Sequence, residues 1–281
     1  MFKTLIATAD LAQRLAASDI VIVDVRHDLG APDAWGETQY RAGHLPGAVF
    51  LHLDRDLSAP TNGRNGRHPL PSPVACAAVF GRLGIDASSQ VVAYDQNNGA
   101  YASRLWWMLR WLGHEAVAVL DGGFDTWARE GRAVTAEVPR PHPAEFAARL
   151  RAATVDADAV QANLGTGALM IVDARAPERY RGDVEPLDPV AGHIPGAVNR
   201  PFGRNLGPDG TFKPAATLHA EFAALLDGRT PSAVVNQCGS GVTACHNALA
   251  MEIAGLPGAR LYPGSWSEWC ADPSRPVVRG G

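Results

Sequence analysis

The chain has 281 residues, 46% of them hydrophobic and 19% charged, with a formal net charge of −4. That length suffices for two ordinary domains, each burying its own core, and the charge offers no basic field for nucleic acid, which is excluded as a primary partner. No apolar run approaches the roughly 20 residues that cross a bilayer, and the start Met1-Phe2-Lys3-Thr4-Leu5-Ile6-Ala7 lacks a long apolar stretch with a cleavage site, so the expected setting is cytoplasmic, with no membrane partner.

In chain order, Ile20 to Val25 is a short β-branched run that reads as a buried strand and runs into Asp24-Val25-Arg26. Arg64-Asn65-Gly66-Arg67-His68-Pro69 is polar and rich in turn residues; a solvated loop or a cover over a cleft explains it. Pro73 to Leu83 and Tyr101 to Leu112 read as helices, Val91 to Tyr94 and Val117 to Leu120 as strands. Trp106, Trp107 and Trp111 recur at helical spacing, which predicts a packed face. Glu137-Val138-Pro139-Arg140-Pro141-His142-Pro143 breaks both periods and marks a linker over residues 136–153. Beyond it, strands are expected at Leu169 to Asp173, Ala233 to Gln237 and Arg260 to Tyr262, with helices near Thr217 to Leu226 and Val242 to Ala254. Such alternation of strand and helix predicts an α/β fold with mainly parallel sheets.

The second half restates the first. Ile22-Val23-Asp24-Val25-Arg26 returns as Ile171-Val172-Asp173-Ala174-Arg175, and Ala42-Gly43-His44-Leu45-Pro46-Gly47-Ala48-Val49 as Ala191-Gly192-His193-Ile194-Pro195-Gly196-Ala197-Val198, both at an offset of 149. In each copy the Arg and the His stand 18 residues apart, a coincidence of order and identity that chance apolar runs do not give. Asp121-Gly122-Gly123-Phe124-Asp125-Thr126-Trp127 corresponds to Pro263-Gly264-Ser265-Trp266-Ser267-Glu268-Trp269 at an offset of 142. A period this long means duplicated domains, at 1–135 and 154–281, rather than a solenoid of repeats under about 50 residues.

The cysteines Cys76, Cys238, Cys245 and Cys270 show no paired metal-ligand spacing, so reduced thiols are expected and no metal or organic cofactor. An ordinary cysteine is a small buried hydrophobe, and that description suits Cys76 and Cys245 inside helical patterns and Cys270 beside Trp269. Cys238 differs: it follows a strand and opens Cys238-Gly239-Ser240-Gly241-Val242-Thr243 ahead of a helix. The carboxyl end of a parallel strand is where ligands bind, and a helix start presents free N–H groups. Glycines and a small serine let successive amides turn inward as a nest suited to a thiolate or a persulfide anion. In the first copy the equivalent strand runs into Asp95-Gln96-Asn97-Asn98-Gly99, with a carboxylate in place of the thiol. A carboxylate cannot carry sulfur, so the first domain is expected to be catalytically silent.

The duplicated D-x-R and G-H-x-P-G-A motifs, the C-G-S-G-V-T loop and the closing Gly264-Ser265-Trp266-Ser267-Glu268-Trp269 together resemble tandem-domain rhodaneses and 3-mercaptopyruvate sulfurtransferases over nearly the whole chain. The resemblance implies two rhodanese-like domains, each a mainly parallel five-stranded sheet flanked by helices. It also implies that sulfur passes from 3-mercaptopyruvate or thiosulfate to cyanide or a thiol through a Cys238 persulfide. By the same resemblance Ser240 and His44, with Asp33 eleven residues before it, form a relay near Cys238. Gly239, Ser240, Gly241, Val242 and Thr243 surround the donor, and Arg179 binds its carboxylate. A loop with no cations suits a 2-oxo acid better than the thiosulfate dianion. Against that, the second arginine of the mercaptopyruvate pattern is absent from Glu185-Pro186-Leu187-Asp188-Pro189-Val190, which leaves Arg200 or Arg204 as substitutes and both donors open. His193 repeats the place of His44, so a shared structural role in the turn accounts for both histidines equally well.

A cysteine phosphatase would need an arginine six residues after the nucleophile, where this chain has Ala244. A non-catalytic sulfur-delivery or binding module is the other alternative, and the retained Cys238 loop argues against it.

Overall fold

A computed structural model describes residues 1–281. The chain divides into two compact units, one made of residues 1–59, 71–152 and 208–212, the other of residues 60–70, 153–207 and 213–281. Each half of the sequence thus contributes a short segment to the unit built mainly by the other half.

In the first unit the apolar runs become five parallel strands, β1 (Leu5–Ile6), β2 (Ile20–Asp24), β3 (Val49–Phe50), β4 (Gln90–Tyr94) and β5 (Val117–Leu120), ordered β1-β5-β4-β2-β3. In the second, β6 (Met170–Asp173), β7 (Val198–Asn199), β8 (Val234–Gln237) and β9 (Arg260–Leu261) are parallel in the order β7-β6-β8-β9. Where β1 would recur, a single parallel bridge joins Thr154 to Leu261. The fifth strand of the second sheet has shrunk to one residue pair. Helices connect the strands, as parallel pairing requires, and all residues of the inner strands β4 and β8 are buried.

The two cores are built alike. Ile22, Leu45, Val92, Tyr94, Ala118 and Trp127 pack in one, and Ile171, Ile194, Val235, Tyr262, Trp266 and Trp269 in the other. Trp106, Trp107 and Trp111 lie buried on the helix Ala102–Trp111, as their spacing predicts. The proline-rich stretch has neither helix nor strand between Thr135 and Thr154 but is not a free linker. Ala144 donates to Gly81 O at 2.9 Å, Arg149 to Leu112 O at 2.7 Å and Arg151 to Trp111 O at 2.9 Å, and the Phe146 ring meets Phe80 edge-on. It is a strap of the first unit.

The repeated motifs meet in a buried ion pair that explains their fixed spacing. Arg26 grips Asp24 through Nε and Nη2 at 2.9 and 2.7 Å, and Nη2 also reaches the carbonyl of Gly43 at 2.7 Å, just before His44. Arg175 repeats this on Asp173, at 3.1 and 2.7 Å, and on Gly192 O at 2.8 Å. All four charged side chains are at most 2% exposed. Removing one member of such a pair costs about 3–5 kcal/mol, because the other charge is left buried alone.

Candidate active site

The strand β8 delivers Cys238 to the head of its sheet, 2% exposed. What shapes the loop after it is the short helix Ser265–Trp269. The first amides of a helix have no partner within it. Those of Trp266 and Ser267 donate to the carbonyls of Cys238 and Gly239 at 3.0 and 2.9 Å, while Cys238 N donates to Ser265 Oγ at 3.1 Å. In a trans peptide the carbonyl and the next N–H point opposite ways. Fixing those two carbonyls on the helix therefore turns the Gly239 and Ser240 amides away from it, towards the open side of the loop. Neither they nor the amides of Val242 and Thr243 donate to any carbonyl. Gly241 has φ +77, and a Cβ there would lie 2.2 Å from Pro263 O, so only glycine closes the turn. The helix Ala244–Ile253 then leaves the loop.

Ser240 is buried and its Oγ lies 2.7 Å from Nδ1 of His68, itself 4% exposed. His68 comes from residues 60–70, the segment that the first half of the chain lends to this unit. The same segment brings Arg67, whose backbone N donates to Ser267 Oγ at 3.0 Å and whose guanidinium pairs with Asp188. Arg179 donates to Glu185 Oε1 at 2.6 Å and to Asp188 Oδ2 at 3.3 Å. Both guanidiniums lie over the loop: a Cβ on Gly239 would be 2.8 Å from Arg67 Nη2 and 3.4 Å from Arg179 Nη1. One cysteine thus stands among unclaimed amides, a serine–histidine pair and two arginines, an arrangement that can hold an anion on sulfur and move a proton beside it.

The model of the rhodanese-like domain matches residues 7–130 and again 156–272. The chain belongs to the rhodanese family. It is 48% identical to a Pseudomonas aeruginosa protein named "Probable 3-mercaptopyruvate sulfurtransferase", covering 98% of both chains. It is 37% identical to the thiosulfate sulfurtransferase of Bos taurus, covering 96% of this chain and 92% of the other. Among solved structures it is similar to the 3-mercaptopyruvate sulfotransferase SseA from Escherichia coli, with TM-score 0.82 and 32% identity over 94% of this chain and 99% of that one.

In the first rhodanese-like domain the equivalent loop is filled by a side-chain carboxyl. The Asp95 carboxylate accepts from the amides of Asn97, Gly99, Tyr101 and Ala102 at 2.7–2.9 Å. Phe124 N donates to Asp95 O at 2.8 Å, just as Trp266 does to Cys238 in the second rhodanese-like domain. Burial raises the Asp95 carboxyl above the usual carboxylate range, and the four amides oppose it.

The relay expected of His44 and Asp33 is corrected. Nδ1 of His44 is held by Tyr40 O at 2.7 Å and Nε2 by Glu137 O at 3.0 Å, with the ring stacked on Tyr40. His193 does the same on Tyr180, Nδ1 to its carbonyl at 2.8 Å. Both histidines brace the rhodanese G-H-x-P-G turn, and His44 has no ring nitrogen left to trade protons. Asp33 is largely exposed and lies on His52, not His44: its carbonyl oxygen is 2.9 Å and Oδ1 3.3 Å from His52 Nε2. The histidine on Ser240 is His68. Nor does Arg200 reach the donor loop, since it is buried against Glu221 at 2.9 Å and over the Phe222 ring, while Arg204 is exposed. Burial pushes the Cys76 and Cys270 thiols up to about 11. Cys245 is buried with its Sγ 3.3 Å from Gly241 O.

Sequence reasoning missed His68, Arg67, Glu185 and Asp188 as parts of this site. The only signal was chemical, a basic Arg-His-Pro run in a turn-rich stretch and two acids where an arginine was expected.

Proposed function

We propose that this rhodanese-family protein is a sulfurtransferase whose carrier is Cys238. The thiolate attacks the transferable sulfur of the donor and a new S–S bond forms. From thiosulfate the old S–S bond breaks and sulfite leaves. From 3-mercaptopyruvate the C–S bond breaks, and the electron pair passes to carbon as an enolate that takes a proton and leaves as pyruvate. Cyanide or a thiolate then takes the outer sulfur of Cys238–S–S⁻ and restores the thiolate. Ser240 and His68 manage the proton, Arg179 binds the donor's anionic group, and the amides of Gly239, Ser240, Val242 and Thr243 cradle the persulfide charge.

The observation that carries this reading is the pair of loops. The same strand–loop–helix turn gathers four amides on a carboxylate at Asp95 and leaves comparable amides unclaimed beside Cys238. The first rhodanese-like domain is read as silent, since Asp95 has no sulfur to carry. No helix is long and apolar enough to cross a membrane, and with all the cysteines unpaired a cytoplasmic setting is the natural reading.

Treating the protein with either donor and mapping peptides by mass tests the carrier. An addition of about 32 Da, one sulfur atom held as a covalent intermediate, is expected on Cys238, and Cys238→Ser should abolish thiocyanate formation. Turnover that survives the substitution refutes the reading. Binding of a partner with no turnover by the wild type would mark a delivery module instead.

A further inference from the structure

We propose that Arg67 is a second donor-binding residue, positioned by Asp188, and that Arg67 and Arg179 together select a donor bearing one negative charge. The inference rests on Cys238 as the sulfur carrier.

Asp188 spans the two guanidiniums, taking Arg67 Nη1 on one oxygen and Arg179 Nη2 on the other. Glu185 takes Nε and Nη2 of Arg179 and also reaches Arg175 Nη1 at 3.3 Å. Both acids are 3% exposed, against 27% for Arg67 and 17% for Arg179. Arg179 is therefore pinned along one edge by Glu185, and Arg67 at one nitrogen by Asp188. Arg67 Nη2 and Arg179 Nη1 take no part in these bonds, and a Cβ on Gly239 would meet them at 2.8 and 3.4 Å, with Arg179 Nη2 next at 3.5 Å. Two N–H groups from different guanidiniums thus face the cysteine loop together, a geometry that takes both oxygens of a carboxylate.

Charge balance sets the preference. Arg67, Arg175 and Arg179 are matched one for one by Asp173, Glu185 and Asp188, so these side chains offer a donor no net positive charge. A single carboxylate is held by directional hydrogen bonds. The second charge of thiosulfate meets no surplus cation and faces the Cys238 thiolate. The structure thus assigns the preferred donor to the thiol-bearing 2-oxo acids.

Steady-state kinetics with 3-mercaptopyruvate and with thiosulfate test this on wild type, Arg67→Gln, Arg67→Lys and Asp188→Asn. Wild type should favour 3-mercaptopyruvate in kcat/KM. Arg67→Gln should raise KM for both donors by about 10–100-fold, the range for losing a charge-assisted hydrogen bond, with kcat moving far less, and Arg67→Lys should recover it only partly, having charge without the planar geometry. Asp188→Asn removes one negative charge at nearly constant shape and should shift the donor ratio towards thiosulfate by about 5–10-fold, as an added unit charge a few ångströms away predicts. A wild-type preference for thiosulfate, an unmoved KM in Arg67→Gln, or an unmoved ratio in Asp188→Asn overturns the proposal. Should Asp188→Asn fail to fold, the KM of the partly exposed Arg67→Gln decides alone. Adduct mapping on the same proteins separates the failures: an adduct away from Cys238 defeats the carrier, whereas an adduct on Cys238 with unmoved constants defeats only the role of Arg67 and Asp188.

Discussion

His44 and His68 look interchangeable as letters and differ entirely in what their ring nitrogens touch. Main-chain carbonyls hold both nitrogens of His44, whereas His68 meets a hydroxyl beside the reactive thiol. Substituting His44 by Ala should cost about 1–3 kcal/mol, through the orphaned carbonyls, and lower the melting temperature while the folded fraction keeps its kcat. Substituting His68 by Asn should lower the kcat of the folded fraction by about 100-fold, within the usual range for a proton-transfer residue. Melting curves and rates on the same preparations separate the two. The cysteines differ in a comparable way. Burial pushes Cys76 and Cys270 up to about 11, so below that pH they stay protonated and unreactive in the folded protein. Iodoacetamide at pH 8 should label neither until denaturant is added, and peptide mapping of native protein that finds either one modified would contradict this. The histidine motif was legible in sequence, but its role was not, because a repeated G-H-x-P-G does not say which way the ring points.

At the scale of elements, the cysteine loop was readable because its determinants are local: a β-branched strand, two glycines, then a helix. Gly241 is the sharpest of them. A side chain there suffers both the left-handed φ of +77 and a contact of 2.2 Å with Pro263 O. Gly241→Ala should therefore destabilise the protein by at least about 1–3 kcal/mol, the scale of a strained backbone position, and should depress sulfur transfer by tilting the amides off the sulfur. A urea midpoint matching wild type would refute this. The brace on that loop was not readable as such. Helix Ser265–Trp269 announced itself as a repeated Trp motif, and tryptophan packing at Trp266 and Trp269 is part of its work. Its other part, lending its first amides to Cys238 and Gly239, belongs to geometry that no periodicity encodes.

For the whole molecule, duplication carried most of what the sequence could tell. The 149-residue offset marked where the two sheets and their repeated D-x-R motifs lie, because each is made within its own copy; that the motif closes a buried ion pair came only from the structure. The second sheet fell short of five strands, since one bridge at Thr154 needs no apolar run to mark it. The pairing of Ser240 with His68 spans 172 residues and leaves no local trace, which is why the turn-rich stretch could be read as solvated loop or cover.

That borrowed segment, residues 60–70, has an evolutionary price tag attached to gene shuffling. Splicing the rear portion of one such gene behind the front portion of a relative would give the nucleophile a foreign histidine and a foreign cation. The chimera would then meet its sulfur source with one guanidinium from each parent, a pairing that neither parent had tuned.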